Sequence, residues 1–156
     1  RSRGIPIYLT LIGPYHQPAY KIFKKKINQS DPNHQFIRYI NSVPNKDLKA
    51  YYHNTDAFVF ASSCENLPNI LLEAMASGLP ISCSDRGPMP EILKKGGLYF
   101  DPENINSIID SLDKLILSDK LRSVKARLAY NNSLNYSWKK CSDQTFLFLK
   151  KIIKIK

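Results

Sequence analysis

Cysteine is scarce in this sequence. Only Cys64, Cys83 and Cys141 occur among 156 residues. An odd number at wide spacing supplies neither a disulfide framework nor a cluster of metal ligands. Such usage fits a reducing compartment, so the expected location is the cytoplasm. No apolar run approaches the ~20 residues that a membrane-spanning helix needs. The opening Arg1-Ser2-Arg3-Gly4 leads straight into an apolar stretch, without the h-region of a signal peptide. Internal repeats and low-complexity segments are missing as well. Acidic residues are few, 13 against 23 Lys and Arg, which leaves a net charge of +10. What is present is ordinary for a folded protein: 43% hydrophobic and 23% charged residues. That composition excludes disorder, and the length predicts a single domain over residues 1–156.

The positive charge is uneven. Residues 139–156 hold six lysines against Asp143 and so carry half of the net charge. Lys21, Lys24, Lys25 and Lys26 form a second cluster. Such patches favour phosphate-rich partners: an anionic membrane, nucleic acid or a phosphorylated substrate. The bland alternative is a well-solvated surface. Nucleic acid is the least supported of these partners, because aromatics do not interleave with the basic clusters and no nucleic-acid motif appears. The last stretch, Phe146 to Lys156, mixes apolar and basic residues. It suits either the surface of an anionic membrane, at its inner face, or packing against another protein domain.

Short apolar stretches alternate with helical patterns along the first two thirds of the chain. Strands are predicted at Ile5–Ile12, Gln35–Ile40, Ala57–Ala61, Leu79–Ser84 and Leu98–Phe100. The first is closed by Gly13-Pro14. Ala57–Ala61 is continuously apolar, as expected of a parallel strand buried on both faces. Helices are predicted at Ala19–Asn28, from Asn45 to His53, at Pro68–Ser77 and at Pro90–Lys94. The second would place Leu48, Tyr51 and Tyr52 on one side, and Gly78 would stop the third. Beyond Asp101 the pattern is helical throughout: Ile105–Leu117, Lys120–Leu134 and a segment after Trp138. This alternation predicts an α/β fold, a Rossmann-like doubly wound parallel sheet with a helical C-terminal segment. Ligands in such sheets bind beyond the carboxyl ends of the strands.

One such end carries Ala61-Ser62-Ser63-Cys64-Glu65-Asn66-Leu67-Pro68-Asn69-Ile70-Leu71-Leu72-Glu73-Ala74-Met75-Ala76-Ser77-Gly78. A helix begins here, with Asn66 as the expected N-cap and Pro68 in the first turn. Its free backbone N–H groups and its dipole favour a phosphate. Glu73 falls within an otherwise apolar helix, where a buried carboxylate must find donors. An ionised carboxylate can accept from two adjacent hydroxyls of a sugar or ribose. The plainer alternative is an exposed Glu65 and a Glu73 paired with a lysine or a backbone amide.

The stretch Asp56–Glu91 resembles the core of family 4 retaining glycosyltransferases. That family has two Rossmann-like domains facing across a cleft, the GT-B architecture. Its signature is a glutamate, seven residues, a second glutamate and then Ala-Met-Ala-x-Gly-x-Pro. Here the counterparts are Glu65, Glu73 and Ala74-Met75-Ala76-Ser77-Gly78-Leu79-Pro80. The preceding strand, Thr55-Asp56-Ala57-Phe58-Val59-Phe60-Ala61-Ser62, and the later Ser84-Asp85-Arg86-Gly87-Pro88-Met89-Pro90-Glu91 are similar to two further family elements. Tyr136-Ser137-Trp138 resembles the family's usual ending. The likeness runs over nearly the whole chain and implies the C-terminal, donor-binding half of a GT-B fold.

The resemblance also implies roles. Glu65 would be the catalytic-site carboxylate that contacts hydroxyls of the donor sugar, and Glu73 would bind the ribose. The backbones of Asn66, Leu67 and Asn69 would approach the sugar and diphosphate, Pro68 having no N–H to give. The loop Tyr39-Ile40-Asn41-Ser42 would read the base by main-chain contacts, although the family's glycine near Asn41 is missing. His16, beyond the Gly13-Pro14 turn, is a weaker candidate for the diphosphate or the acceptor, with a plain surface histidine as the alternative, and Arg86 is a weaker candidate for a phosphate. Cys64 has no activating base in view and is not expected to be a nucleophile.

The implied donor is a UDP- or GDP-linked sugar, and the implied reaction is hexosyl transfer with retention, with no metal or other cofactor. The implied acceptor is a glycan or a lipid-linked sugar of the polysaccharide or lipopolysaccharide kind. The protein's share would be positioning and stabilising charge on the leaving phosphate, not the paired-carboxylate chemistry of a glycosidase. The family's basic Arg/Lys pair, its first strand–helix unit and its acceptor-binding N-terminal domain have no counterpart in these residues. The expectation is therefore a fragment or one half of a split enzyme. It would work with an N-terminal domain in the same or a partner chain and would be inactive alone. Two other readings compete: a sugar-nucleotide epimerase-like domain, which lacks the Glu-x7-Glu-Ala-Met-Ala pattern, and a non-enzymatic basic binding module.

Overall fold

The structure, a computed structural model, describes residues 4–154. It divides into two compact units, Arg1–Ala50 and Tyr51–Lys156.

The first unit is a parallel strand–helix–strand. β1 (Leu9–Ile12) leads through α1 (Gln17–Ser30) to β2 (Ile37–Ile40), with Leu9 opposite Ile37 and Ile12 opposite Ile40. α2 (Asn45–His53) then runs across the boundary into the second unit. α1 has Pro18 in its first turn, where a missing N–H costs nothing. Phe23 and Ile27 face inward and the four lysines are exposed. β1 is shorter than the predicted Ile5–Ile12 and is not the buried strand expected: Leu9 and Ile12 are 40% and 39% exposed. Paired on one edge only, in a sheet of two strands, it has little to bury against.

Asp31, directly after α1, is the buried polar anchor of this unit at 1% exposure. Its carboxylate accepts from the backbone N–H groups of Gln35 (2.9 Å), Phe36 (2.7 Å) and Ile37 (2.7 Å). These bonds fix the chain reversal that delivers β2. Burial pushes the carboxyl pKa up, but the three N–H groups outweigh it, and the pKa falls below its ordinary value of 3.8. A depressed pKa adds stability that is complete above the unfolded value and is lost as pH falls through the folded one. Thermal melts should therefore show Asp31→Asn less stable than the wild type at pH 7. The gap should narrow steadily as the pH is taken below about 3.8. A gap that is independent of pH would show that the charge is not what holds the turn.

The second unit holds the main core. β3 (Phe58–Phe60), β4 (Ile81–Ser84) and β5 (Gly97–Phe100) form a parallel sheet in the order β3-β4-β5. The helices between and after these strands are α3 (Asn69–Ala76), α4 (Met89–Leu93), α5 (Ile105–Leu117), α6 (Asp119–Ser133) and α7 (Trp138–Lys154). β4 is buried at every position, as expected of a central parallel strand. Around it Phe60, Leu71, Met75, Ile81, Met89 and Leu93 form one apolar cluster. Gly96 lies so close to α6 that a Cβ there would stand 2.7 Å from the backbone of Ala129, so only glycine fits. Asn132 of α6 donates to the Leu93 carbonyl at 2.8 Å and Lys125 to the Lys95 carbonyl at 3.0 Å. α5 and α6 open on the side-chain caps of Asn104 and Ser118.

The α/β class and the parallel pairing agree with the sequence, but the strands lie in two sheets, β1-β2 and β3-β4-β5. Among the described residues no strand pairs with the outer edge of β1 or of β3. β3 is not buried on both faces as expected: Val59 is 39% exposed. α7 is exposed along its described length, with Trp138, Phe146, Phe148 and Ile153 open to solvent. No described helix is long and apolar enough to cross a membrane.

Candidate functional site

The carboxyl ends of β3 and β4 place two loops side by side in the second unit. The loop after β3 carries Glu65, half-buried, with exposed Cys64, Asn66 and Leu67. The loop after β4 carries Asp85, Arg86 and Gly87. Gly87 has φ +55°, and a Cβ there would meet the Glu65 carbonyl oxygen at 3.6 Å and its nitrogen at 3.9 Å. A residue with positive φ is needed to bring the second loop this near the first, and glycine adopts it without strain. The β4 loop thus passes close to the Glu65 backbone.

α3 begins at Asn69 rather than Pro68. The cap residue is buried Pro68, which offers no side-chain hydrogen bond, and not Asn66. Asn66 stands three residues before the helix, too early for its side chain to serve the first free N–H groups. The first amides to find a partner are those of Leu71 and Leu72, both bonded to the Pro68 carbonyl at 3.0 and 3.2 Å. Among the described residues the Asn69 and Ile70 amides have no backbone acceptor, so the uncapped helix start keeps donors for a ligand. The far end behaves as the sequence predicts. Gly78 adopts φ +71° and its N–H bonds to the Met75 carbonyl at 3.0 Å. The helix is not buried all round: Leu71, Ala74 and Met75 face the core, while Ile70 is 45% exposed and Ala76 is open.

Glu73 lies on the intermediate face of α3 and is half-buried. Its donor is neither lysine nor backbone amide. The Tyr52 hydroxyl, from the last turn of α2, donates to Glu73 Oε2 at 2.9 Å. Burial first, then this hydrogen bond and the carboxylate charge, push the Tyr52 pKa well above the ordinary phenol range. The Tyr52 ring is tilted against Phe58, centroids 6.0 Å apart, and Phe58 stacks on core residue Phe60.

Arg86 is taken up by carboxylates. Its guanidinium donates to Asp101 Oδ1 at 3.0 Å, with Asp85 at 3.4 Å and Glu103 at 3.9 Å. The hydrogen bond to Asp101, then the surrounding negative charge, raise its pKa. These contacts tie the β4 loop to the end of β5 and leave the guanidinium already neutralised. The Cys83 thiol, in the core of β4, is pushed up to about 12 by burial and by Asp85, which makes it inert.

The remaining candidates lie in the first unit. Tyr39 and Ile40 end β2, and Asn41 and Ser42 follow it, exposed. The Tyr39 hydroxyl lies 3.0 Å from both the Gly13 carbonyl and Asn41 Oδ1, holding the ends of β1 and β2 together. His16 is exposed at the start of α1 without a capping bond. It helps line a cavity of about 290 Å³ with Gly13, Pro14, Tyr15, Phe23 and Tyr39. Neither Glu65 nor Glu73 lines that cavity. Two residues that matter escaped the sequence reading: Asp31, and Tyr52 as the partner of Glu73. Tyr52 was legible as part of an apolar helix face, but its hydroxyl carried no signal of its target.

The family described as Glycosyl transferases group 1 matches residues 1–132. The O-antigen chain mannosyltransferase B of Escherichia coli is 31% identical over 110 residues, which are 70% of this chain and 29% of that protein. The amylovoran biosynthesis glycosyltransferase AmsD of Erwinia amylovora is 34% identical over 95 residues, 60% of this chain and 27% of that protein. The chain thus spans under a third of the length of these relatives. Among solved structures, the C-terminal domain of the glycosyl transferase group 1 family protein LpcC from Francisella tularensis has a TM-score of 0.70 at 24% identity, over 86% of this chain and 88% of that one. Anabaena Alr3699/HepE in complex with UDP and glucose reaches 0.82 at 15% identity, over 96% of this chain and 42% of that one. At these identities the structures establish the GT-B-type fold, and the match over most of the sequence establishes the kinship: the chain belongs to the family Glycosyl transferases group 1.

Proposed function

We propose that this chain is the donor-binding part of a sugar transferase that takes a nucleotide-sugar and passes its hexosyl group, with retention, to a glycan or lipid-linked acceptor. The observation that carries the reading is the uncapped start of α3 with a carboxylate on each side of it: Glu65 in the loop before, Glu73 on the second turn. Open N–H groups suit a diphosphate, and carboxylates suit hydroxyls. Glu65 then holds the donor sugar, Glu73 the ribose, and the backbone of Asn66, Leu67 and Asn69 the diphosphate. The solved structure with UDP and glucose bound and the mannosyltransferase among the relatives support a nucleotide-sugar donor. The likeness to O-antigen and amylovoran enzymes supports a surface-polysaccharide acceptor.

Calorimetric titration with UDP, GDP and ADP tests the reading. One nucleotide should bind at least about tenfold more tightly than the others, with a shallow dependence on salt. A basic module would instead bind any polyanion, with affinity falling steeply as salt rises. Steep, unselective binding would remove the donor-site reading.

A further inference from the structure

The hydroxyl that reaches Glu73 belongs to a residue no part of the proposed site uses. We infer that Tyr52 is a positioning residue: it orients the Glu73 carboxylate toward the ribose and so sets the preference for ribonucleotides over deoxyribonucleotides. This rests on the reading of Glu73 as the ribose carboxylate.

Four observations support it. First, a phenol has one proton to give, and Tyr52 gives it to Glu73 Oε2 at 2.9 Å. Among the described residues no other donor reaches this carboxylate, and none of its oxygens is buried without a partner. The remaining lone pairs are therefore open to a ligand. Second, gripping two adjacent hydroxyls requires the carboxylate plane to be fixed, and a glutamate on a partly exposed helix face has three side-chain torsions to settle. A donor on Oε2 narrows them while leaving Oε1 untouched. Third, Tyr52 is itself held. Its ring rests on Phe58, whose ring lies 6.2 Å from that of core Phe60. The carboxylate is thereby referenced through two aromatic contacts to the centre of the sheet. Fourth, the raised pKa keeps the hydroxyl protonated, and so a donor, throughout neutral and mildly basic pH.

The test compares wild type, Tyr52→Phe and Glu73→Gln of the whole chain. Each is titrated with UDP and GDP and with their 2′-deoxy and 3′-deoxy counterparts, and folding is checked by thermal melting. Phe keeps the ring and its contact with Phe58 and removes only the hydroxyl. The wild type should prefer ribonucleotides, and Glu73→Gln should bring that preference close to one. Tyr52→Phe should lower it by about threefold to tenfold, the single-deoxy nucleotides, which keep one hydroxyl, losing less affinity than the ribonucleotides. Two results overturn the inference while leaving Glu73 as the ribose carboxylate: a Tyr52→Phe chain with the wild-type preference, or one that binds both sugars equally more weakly, as lost packing alone would cause. If Glu73→Gln keeps the preference, or the wild type shows none, the ribose reading itself falls and the inference falls with it.

Discussion

Glu73→Ala is expected to weaken nucleoside diphosphate binding by about a hundredfold. Two ribose hydroxyls donating to one carboxylate make charge-assisted hydrogen bonds, each contributing about 1.5 kcal/mol or more. Losing both costs about 3 kcal/mol, which is roughly two decades in Kd. The fold should tolerate the change. Alanine favours helix, and the Tyr52 hydroxyl released by the substitution is only half-buried and within reach of water. Calorimetric titration beside a thermal melt separates the two effects. A melt like the wild type with Kd raised as stated is the expected pair. Unchanged affinity would mean that Glu73 serves only to hold α2 to α3.

Glu65→Ala should act on a different quantity. In the transferase that includes the acceptor-binding part, kcat should fall by about a hundredfold or more while diphosphate affinity changes by less than about threefold. The reason is positional. Glu65 lies in the loop before α3, close to Gly87 of the β4 loop, whereas the amides at the helix start need no side chain to meet a phosphate. Contacts to sugar hydroxyls align the anomeric carbon, and misalignment is felt in the transition state more than in ground-state binding. Steady-state kinetics with separate measurement of diphosphate Kd decides it. A loss of diphosphate binding at constant kcat would assign Glu65 to the phosphate instead.

Both glutamates were legible in the sequence, since a carboxylate inside an apolar helix and another beside a strand end are unusual wherever they occur. The helix between them was legible in kind but not in detail. Asn66 looked like its cap because asparagine is a good cap, yet the buried Pro68 sets the start and brings no side-chain acceptor to the first free amides. α5 shows the opposite case. Its predicted span Ile105–Leu117 is the observed one, because Asn104 caps it locally through the amides of Asn106 and Ser107. Where a boundary is made by neighbours in sequence, sequence reveals it. Where it is made by what a residue buries against, sequence does not.

Sequence alone determined the α/β class, the parallel direction of the strands, the order of the elements and the pairing of two glutamates with a helix start. These follow from hydrophobic period, turn residues and spacing, which act over a few positions. Tertiary structure alone decided three things: that the strands fall into two sheets, that Arg86 is consumed by Asp101, Asp85 and Glu103, and that Glu73 is held by Tyr52. Each depends on groups brought together from distant positions, Tyr52 and Glu73 being 21 residues apart. A side-chain hydrogen bond forms only at contact, within about 3 Å and in the right direction. No local pattern encodes that meeting; it exists only once the sheet has set the helices beside each other.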